Sequence, residues 1–66
     1  MVAVRRDAVL AAAVQVLGSG GSRALTHRAV DRAAGVAEGT TSNHFRTRKA
    51  LVAGVLGYIS RAESAP

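Results

Sequence analysis

A chain of 66 residues holds one small domain and buries only about 60 % of the surface its unfolded form exposes. It has no cysteine, which excludes disulfide staples, thiolate metal sites and cysteine nucleophiles; its 3 % aromatic content leaves Ala, Val, Leu and Ile to build the core. Nine Lys+Arg against four Asp+Glu leave a net charge of +5, which favours salt-sensitive association with phosphate or anionic lipid as well as simple solubility. Eight of the nine cations are arginine, the residue suited to forked contacts with phosphate and guanine.

Arg5-Arg6 ahead of an apolar run has the outline of a twin-arginine export signal, but Asp7 and Gln15 interrupt that run. No uncharged stretch reaches the roughly 18 residues of a membrane span. The aliphatic spacing of Val9, Leu10, Ala13, Val14 and Leu17 instead predicts an amphipathic helix over residues 5–17, with Asp7 in its first turn facing the positive end of the helix dipole. Gly18-Ser19-Gly20-Gly21-Ser22 then predicts a stop and a loop. It is no phosphate-binding loop: no Gly-Lys-Ser/Thr follows it, and it ends a helix where such a loop would open one.

Thr26 is a hydroxyl cap for a helix over residues 27–34, with Val30 and Ala34 on one face. Gly35 interrupts the pattern, and a second short helix is predicted from Glu38 to His44 or Phe45. Thr47 caps a last helix over residues 48–62, striped with Leu51, Val52, Val55, Leu56 and Ile59 and ended by Ser64-Ala65-Pro66. Nothing alternates at period two for long, so the expected fold class is all-α, a small three- to four-helix domain.

Two short helices joined through Gly35 and Val36 form a helix-turn-helix over residues 26–45. A glycine at the turn tolerates left-handed backbone, Val36 is expected to plug the angle between the helices, and Phe45 to anchor the far end of the second. At 100° per residue, Phe45 and Thr41 share one face, while Thr40, Asn43 and His44 lie away from it or on its flank. That outward set is small and hydrogen-bonding, which is what reading base edges and phosphates requires.

Val9-Leu10-Ala11-Ala12-Ala13, Leu25-Thr26-His27-Arg28-Ala29-Val30, Ala34-Gly35-Val36-Ala37-Glu38-Gly39-Thr40 and Phe45-Arg46-Thr47-Arg48-Lys49-Ala50-Leu51 together resemble the DNA-binding domain of TetR-type transcriptional regulators. The resemblance runs without gaps from Arg6 to Ile59 and implies a homeodomain-like domain over residues 5–62. It further implies a cytoplasmic homodimer that binds a palindromic operator on double-stranded DNA through the major groove, usually as a repressor. A small-molecule effector would release the DNA from a C-terminal helical domain, which is expected to be absent from this chain.

Residue by residue, the resemblance makes Arg28 a base or phosphate contact, Thr40 a DNA contact and His44 a phosphate donor where relatives have Tyr. It makes Arg48 a phosphate clamp at the start of the last helix, with Lys49 adding charge beside it. From their chemistry, Thr26 both caps its helix and touches phosphate, and Gly39 lets backbone approach phosphate. Glu38 can accept from a cytosine amino group or simply favour the helix dipole, and Asn43 can pair with adenine. Arg5 and Arg6 can reach the DNA backbone or remain solvated at the terminus.

Ser42, Thr41 and Asp31 depart from the family pattern of an aromatic, an inward aliphatic and a small Ala. A hydrogen bond between the Thr41 hydroxyl and the Asp31 carboxylate would substitute polar for apolar packing, and Asp31 is also placed to orient Arg28 three residues back. Enzymatic chemistry is not expected. His27 and His44 lack companion ligands, the four acids are scattered, and no nucleophile elbow is present, so no metal or cofactor is expected either. The alternative is a basic helical interaction or membrane-surface module, for which the Ala-rich first helix is a weak candidate.

Overall fold

Aliphatic residues at helical spacing and hydroxyl caps at the breaks produce four helices: α1 (Val2–Ala24), α2 (His27–Ala34), α3 (Thr40–His44) and α4 (Arg48–Ser64). The computed structural model describes residues 2–64, with side chains from residue 6 to residue 63. Among the described residues there is no strand. Val9, Leu10, Ala12 and Ala13 of α1, Leu25 at the corner, Val30 of α2, Phe45, and Leu51 and Val55 of α4 form one buried cluster. The last helix diverges from its predicted stripe at Leu56, which is 61 % exposed. At 100° per residue Leu56 stands about 140° from Leu51, whereas Val55 and Ile59 follow at one and two turns. The predicted stop at Ala65-Pro66 lies outside the described residues.

The glycine run is not the loop its composition predicts. α1 begins at Val2 and continues through Gly18, Ser19 and Gly20, and its break falls at Gly21, whose φ of 75° and ψ of −174° are non-helical. Two local features account for this. Ser19 Oγ donates back to the Gln15 carbonyl at 3.1 Å, and Gly20 leaves room for Ala24, whose Cβ would stand 2.5 Å from any Cβ placed there. The early start also takes Asp7 out of the first turn, so it does not face the helix dipole as expected.

The other breaks follow their local chemistry. Thr26 Oγ1 accepts the Ala29 amide at 3.1 Å, and Thr47 Oγ1 accepts the Ala50 amide at 3.0 Å, each satisfying one free donor of a helix start. Gly35 sits at φ 69°, ψ 31°, its amide turned to Arg32 and the Val36 amide donating to the Asp31 carbonyl at 3.1 Å. This is the Schellman closure, and its left-handed residue is what glycine supplies without strain.

Candidate nucleic-acid interface

α3 carries the residues expected to read DNA, and its placement depends on α2. It starts two residues later than predicted because Gly39, at φ 95°, is its N-cap and offers no side-chain hydrogen bond. The missing cap comes from the neighbouring helix. The Asp31 carboxylate, on α2, accepts the Gly39 amide through Oδ2 and the Thr41 amide through Oδ1, both at 2.8 Å. Asp31 is only 4 % exposed. Burial pushes its pKa up, but the Thr41 and Gly39 hydrogen bonds and the charge of His27 outweigh that and hold it below the usual carboxylate value.

The expected bond between the Thr41 hydroxyl and Asp31 is therefore made by the Thr41 backbone amide. Thr41 Oγ1 itself is buried and makes no hydrogen bond. The expectation that Asp31 orients Arg28 is also overturned. The Asp31 oxygens are spent on α3, and Arg28 Nη2 instead faces Glu38 Oε2 at 3.4 Å across the motif. These two side chains are 66 % and 73 % exposed, so a solvent-screened pair of this kind leaves both free to exchange partners.

Asn43 is exposed, Thr40 and His44 are half-buried at the rim of α3, and Ser42 Oγ turns back to the Gly39 carbonyl at 3.2 Å. Neither Thr40 nor Asn43 is tucked into the core, and the chain bends at Gly35, as a reading helix requires. The Gly39 amide is already committed to Asp31, so Gly39 offers phosphate no free N–H; its left-handed φ is the reason for glycine there. Thr26 is exposed beside its cap bond, and Lys49 is exposed at the start of α4. Arg48 is exposed as well, but part of its guanidinium is engaged: Nη1 donates to the Leu25 carbonyl and Nη2 to the Ser22 carbonyl at 2.6 Å. It ties the start of α4 to the end of α1, and its remaining N–H groups are those left for phosphate. Val36 is half-buried and is not among the hydrophobic residues packed on the core. It lines a hollow of about 160 Å³ with Arg28, Asp31, Arg32 and Glu38, and so does not plug the interhelical angle as expected.

Two contacts at this surface were not expected from the sequence, which had Arg6 reaching the DNA backbone or solvated. His27 Nε2 lies 2.7 Å from the Phe45 carbonyl, at the far end of α3. The Arg6 guanidinium stacks over the Phe45 ring, 4.6 Å from its centroid, while Gly54 makes room for the ring's other contacts. The i, i+4 spacing of His27 and Asp31 was the available signal for the first, since it puts both on one face of α2. Nothing local signalled the second. The Arg5 side chain lies outside those described.

Residues 9–55 match the family model of bacterial regulatory proteins, tetR family, which covers most of the chain. The chain belongs to the TetR family. It therefore carries the family's helical helix-turn-helix domain, the DNA-binding part of transcriptional regulators and not of enzymes. No curated protein and no solved structure matches the chain. Among the described residues, no three His, Asp or Glu side chains are grouped to hold a metal, and no helix is long and apolar enough to cross a membrane.

Proposed function

We propose that this TetR-family domain recognises a specific double-stranded sequence by laying α3 in the major groove. Asn43 and Thr40 read base edges there, with Arg28 and Glu38 beside them. Thr26, His44, Arg48 and Lys49 hold flanking phosphates. The observation that carries the reading is the exposed Asn43 on a five-residue helix whose inward side is pinned to α2, in a domain where Arg28 and Lys49 are exposed as well. Arg28 and Glu38 can trade their mutual 3.4 Å contact for guanine and cytosine edges at little cost, because that contact is screened.

The finer reading follows the family's usual arrangement. In it the protein acts in the cytoplasm as a homodimeric repressor on a palindromic operator, and a small molecule in a C-terminal helical domain releases it.

Selection of tight binders from a random duplex pool, followed by titration of a selected and a random duplex at two salt concentrations, tests the central reading. Asn43→Ala is expected to lower preference for the selected duplex by about tenfold, in line with the 1–3 kcal/mol of one bidentate base contact. Lys49→Ala should weaken both duplexes alike and reduce the salt slope by about one. No enrichment of any sequence, or binding to anionic vesicles as tight as to duplex, would overturn the proposal.

A further inference from the structure

α3 cannot hold itself in place. Five residues make about one and a half turns, far below the length at which an isolated helix is stable. Its sequence, Thr-Thr-Ser-Asn-His, brings no aliphatic or aromatic side chain to the core, and Thr41 is the α3 residue that is buried. Its N-cap, Gly39, contributes no side chain. Within the helix only Thr41 packs inward, and the aromatic anchor Phe45 is its C-cap, so core packing holds the far end of α3 without by itself fixing the rotation at which Asn43 is presented.

Two polar side chains of α2 reach it instead. Asp31 accepts the amides of Gly39 and Thr41 at the N-terminal end, and His27 Nε2 meets the Phe45 carbonyl at the C-terminal end. His27 and Asp31 are one turn apart on α2, about 6 Å along its axis, and α3 is about 7.5 Å long. The two attachments thus hold the two ends of the short element. Three hydrogen bonds at two ends fix both tilt and rotation, which a single contact cannot do.

We infer that His27 and Asp31 are positioning residues that preset the orientation of α3 on α2 in the free protein, so that Asn43 and Thr40 meet DNA already aligned. The clasp itself rests on the geometry above; its consequence for recognition rests on the DNA-reading role proposed for α3. Preset geometry shows as discrimination more than as raw affinity, because phosphate contacts elsewhere survive a misaligned reading helix while base contacts do not.

The test uses the full chain and two variants, Asp31→Asn and His27→Leu, with His27→Gln as the conservative replacement that keeps an N–H donor. The first readout is amide hydrogen exchange. Gly39 and Thr41 are expected to exchange at least tenfold faster in Asp31→Asn, measured relative to Val30 and Val55 in the same sample. The second is the affinity ratio between a pool-selected duplex and a random one, recorded where circular dichroism shows each variant folded. That ratio is expected to fall about tenfold in Asp31→Asn and in His27→Leu while affinity for the random duplex stays within twofold, and His27→Gln should restore it. A clasp that only stabilised the fold would lower both affinities together. Unchanged exchange at Gly39 and Thr41 would overturn the clasp, and a ratio unmoved in folded His27→Leu would overturn its role in reading. Should wild type prefer no duplex at all, the DNA-reading proposal and with it the recognition role would fall, while the exchange data would still decide the clasp.

Discussion

The two halves of this domain are held together by different physics. α1 and α4 meet through aliphatic packing, with Val9, Leu10, Leu51 and Val55 all at or below 1 % exposure. The α2–α3 pair, which faces the expected DNA, is joined chiefly by a buried carboxylate, a histidine and backbone amides. Aliphatic contact is non-directional and tolerates small rotations of one helix on another. Hydrogen bonds have a narrow geometry and do not. The support is therefore built from interactions that give stability, and the proposed reading surface from interactions that give orientation.

The sharpest way to break this contrast is to cut the packed half. Leu10→Ala should cost about 3 kcal/mol in urea unfolding and remove DNA binding with the fold, since a buried leucine lost to a cavity costs 2–5 kcal/mol. A loss under about 1 kcal/mol would mean that α1 does not anchor the core. The polar half should respond to acid. Asp31→Asn is expected to cost about 2 kcal/mol at neutral pH by leaving a buried amide short of an acceptor. Because the folded-state pKa of Asp31 is depressed, its contribution is present above the ordinary carboxylate value and lost as pH falls through the folded one. The stability difference between wild type and variant should thus be flat from pH 7 to 5 and shrink below about pH 4.

The seam between the halves is Phe45, which closes α3 and packs near α4. A Cβ at Gly54 would stand 2.6 Å from Phe45 Cε1, so Gly54→Ala should cost about 1 kcal/mol in thermal unfolding. That figure sets an overpacking penalty of about 1–3 kcal/mol against a gain in helix propensity of up to about 1. A stabilised Gly54→Ala would show that the ring is free to move. The smallest effect belongs to the surface. A double-mutant cycle on Arg28 and Glu38 should return a coupling below about 0.5 kcal/mol in the free protein, and a larger value would mean that the pair is not free to exchange onto DNA.

The local rules read best where the structure is local. The caps at Thr26 and Thr47, the turn at Gly35 and the exposed Asn43 all follow from residues within one turn of themselves. The glycine run misled because the cost of glycine in a helix is only about 1 kcal/mol each, which a Ser19 back-bond and a close Gly20–Ala24 approach can offset. Asp31 misled for another reason. Spacing on its own helix pointed to Arg28, but a buried carboxylate goes to the donors that cannot be solvated, and those amides belong to α3. Arg48 likewise matched a phosphate-clamp position, and its tie to Ser22 and Leu25 crosses more than twenty residues of chain.

Helix number, the breaks at Thr26, Gly35 and Thr47, the basic surface and the TetR-type pattern of residues follow from composition and from periodicities a few residues long. Which partner each polar side chain takes was decided only when distant segments met, because burial changes the energy of an unpaired amide or carboxylate far more than sequence proximity does.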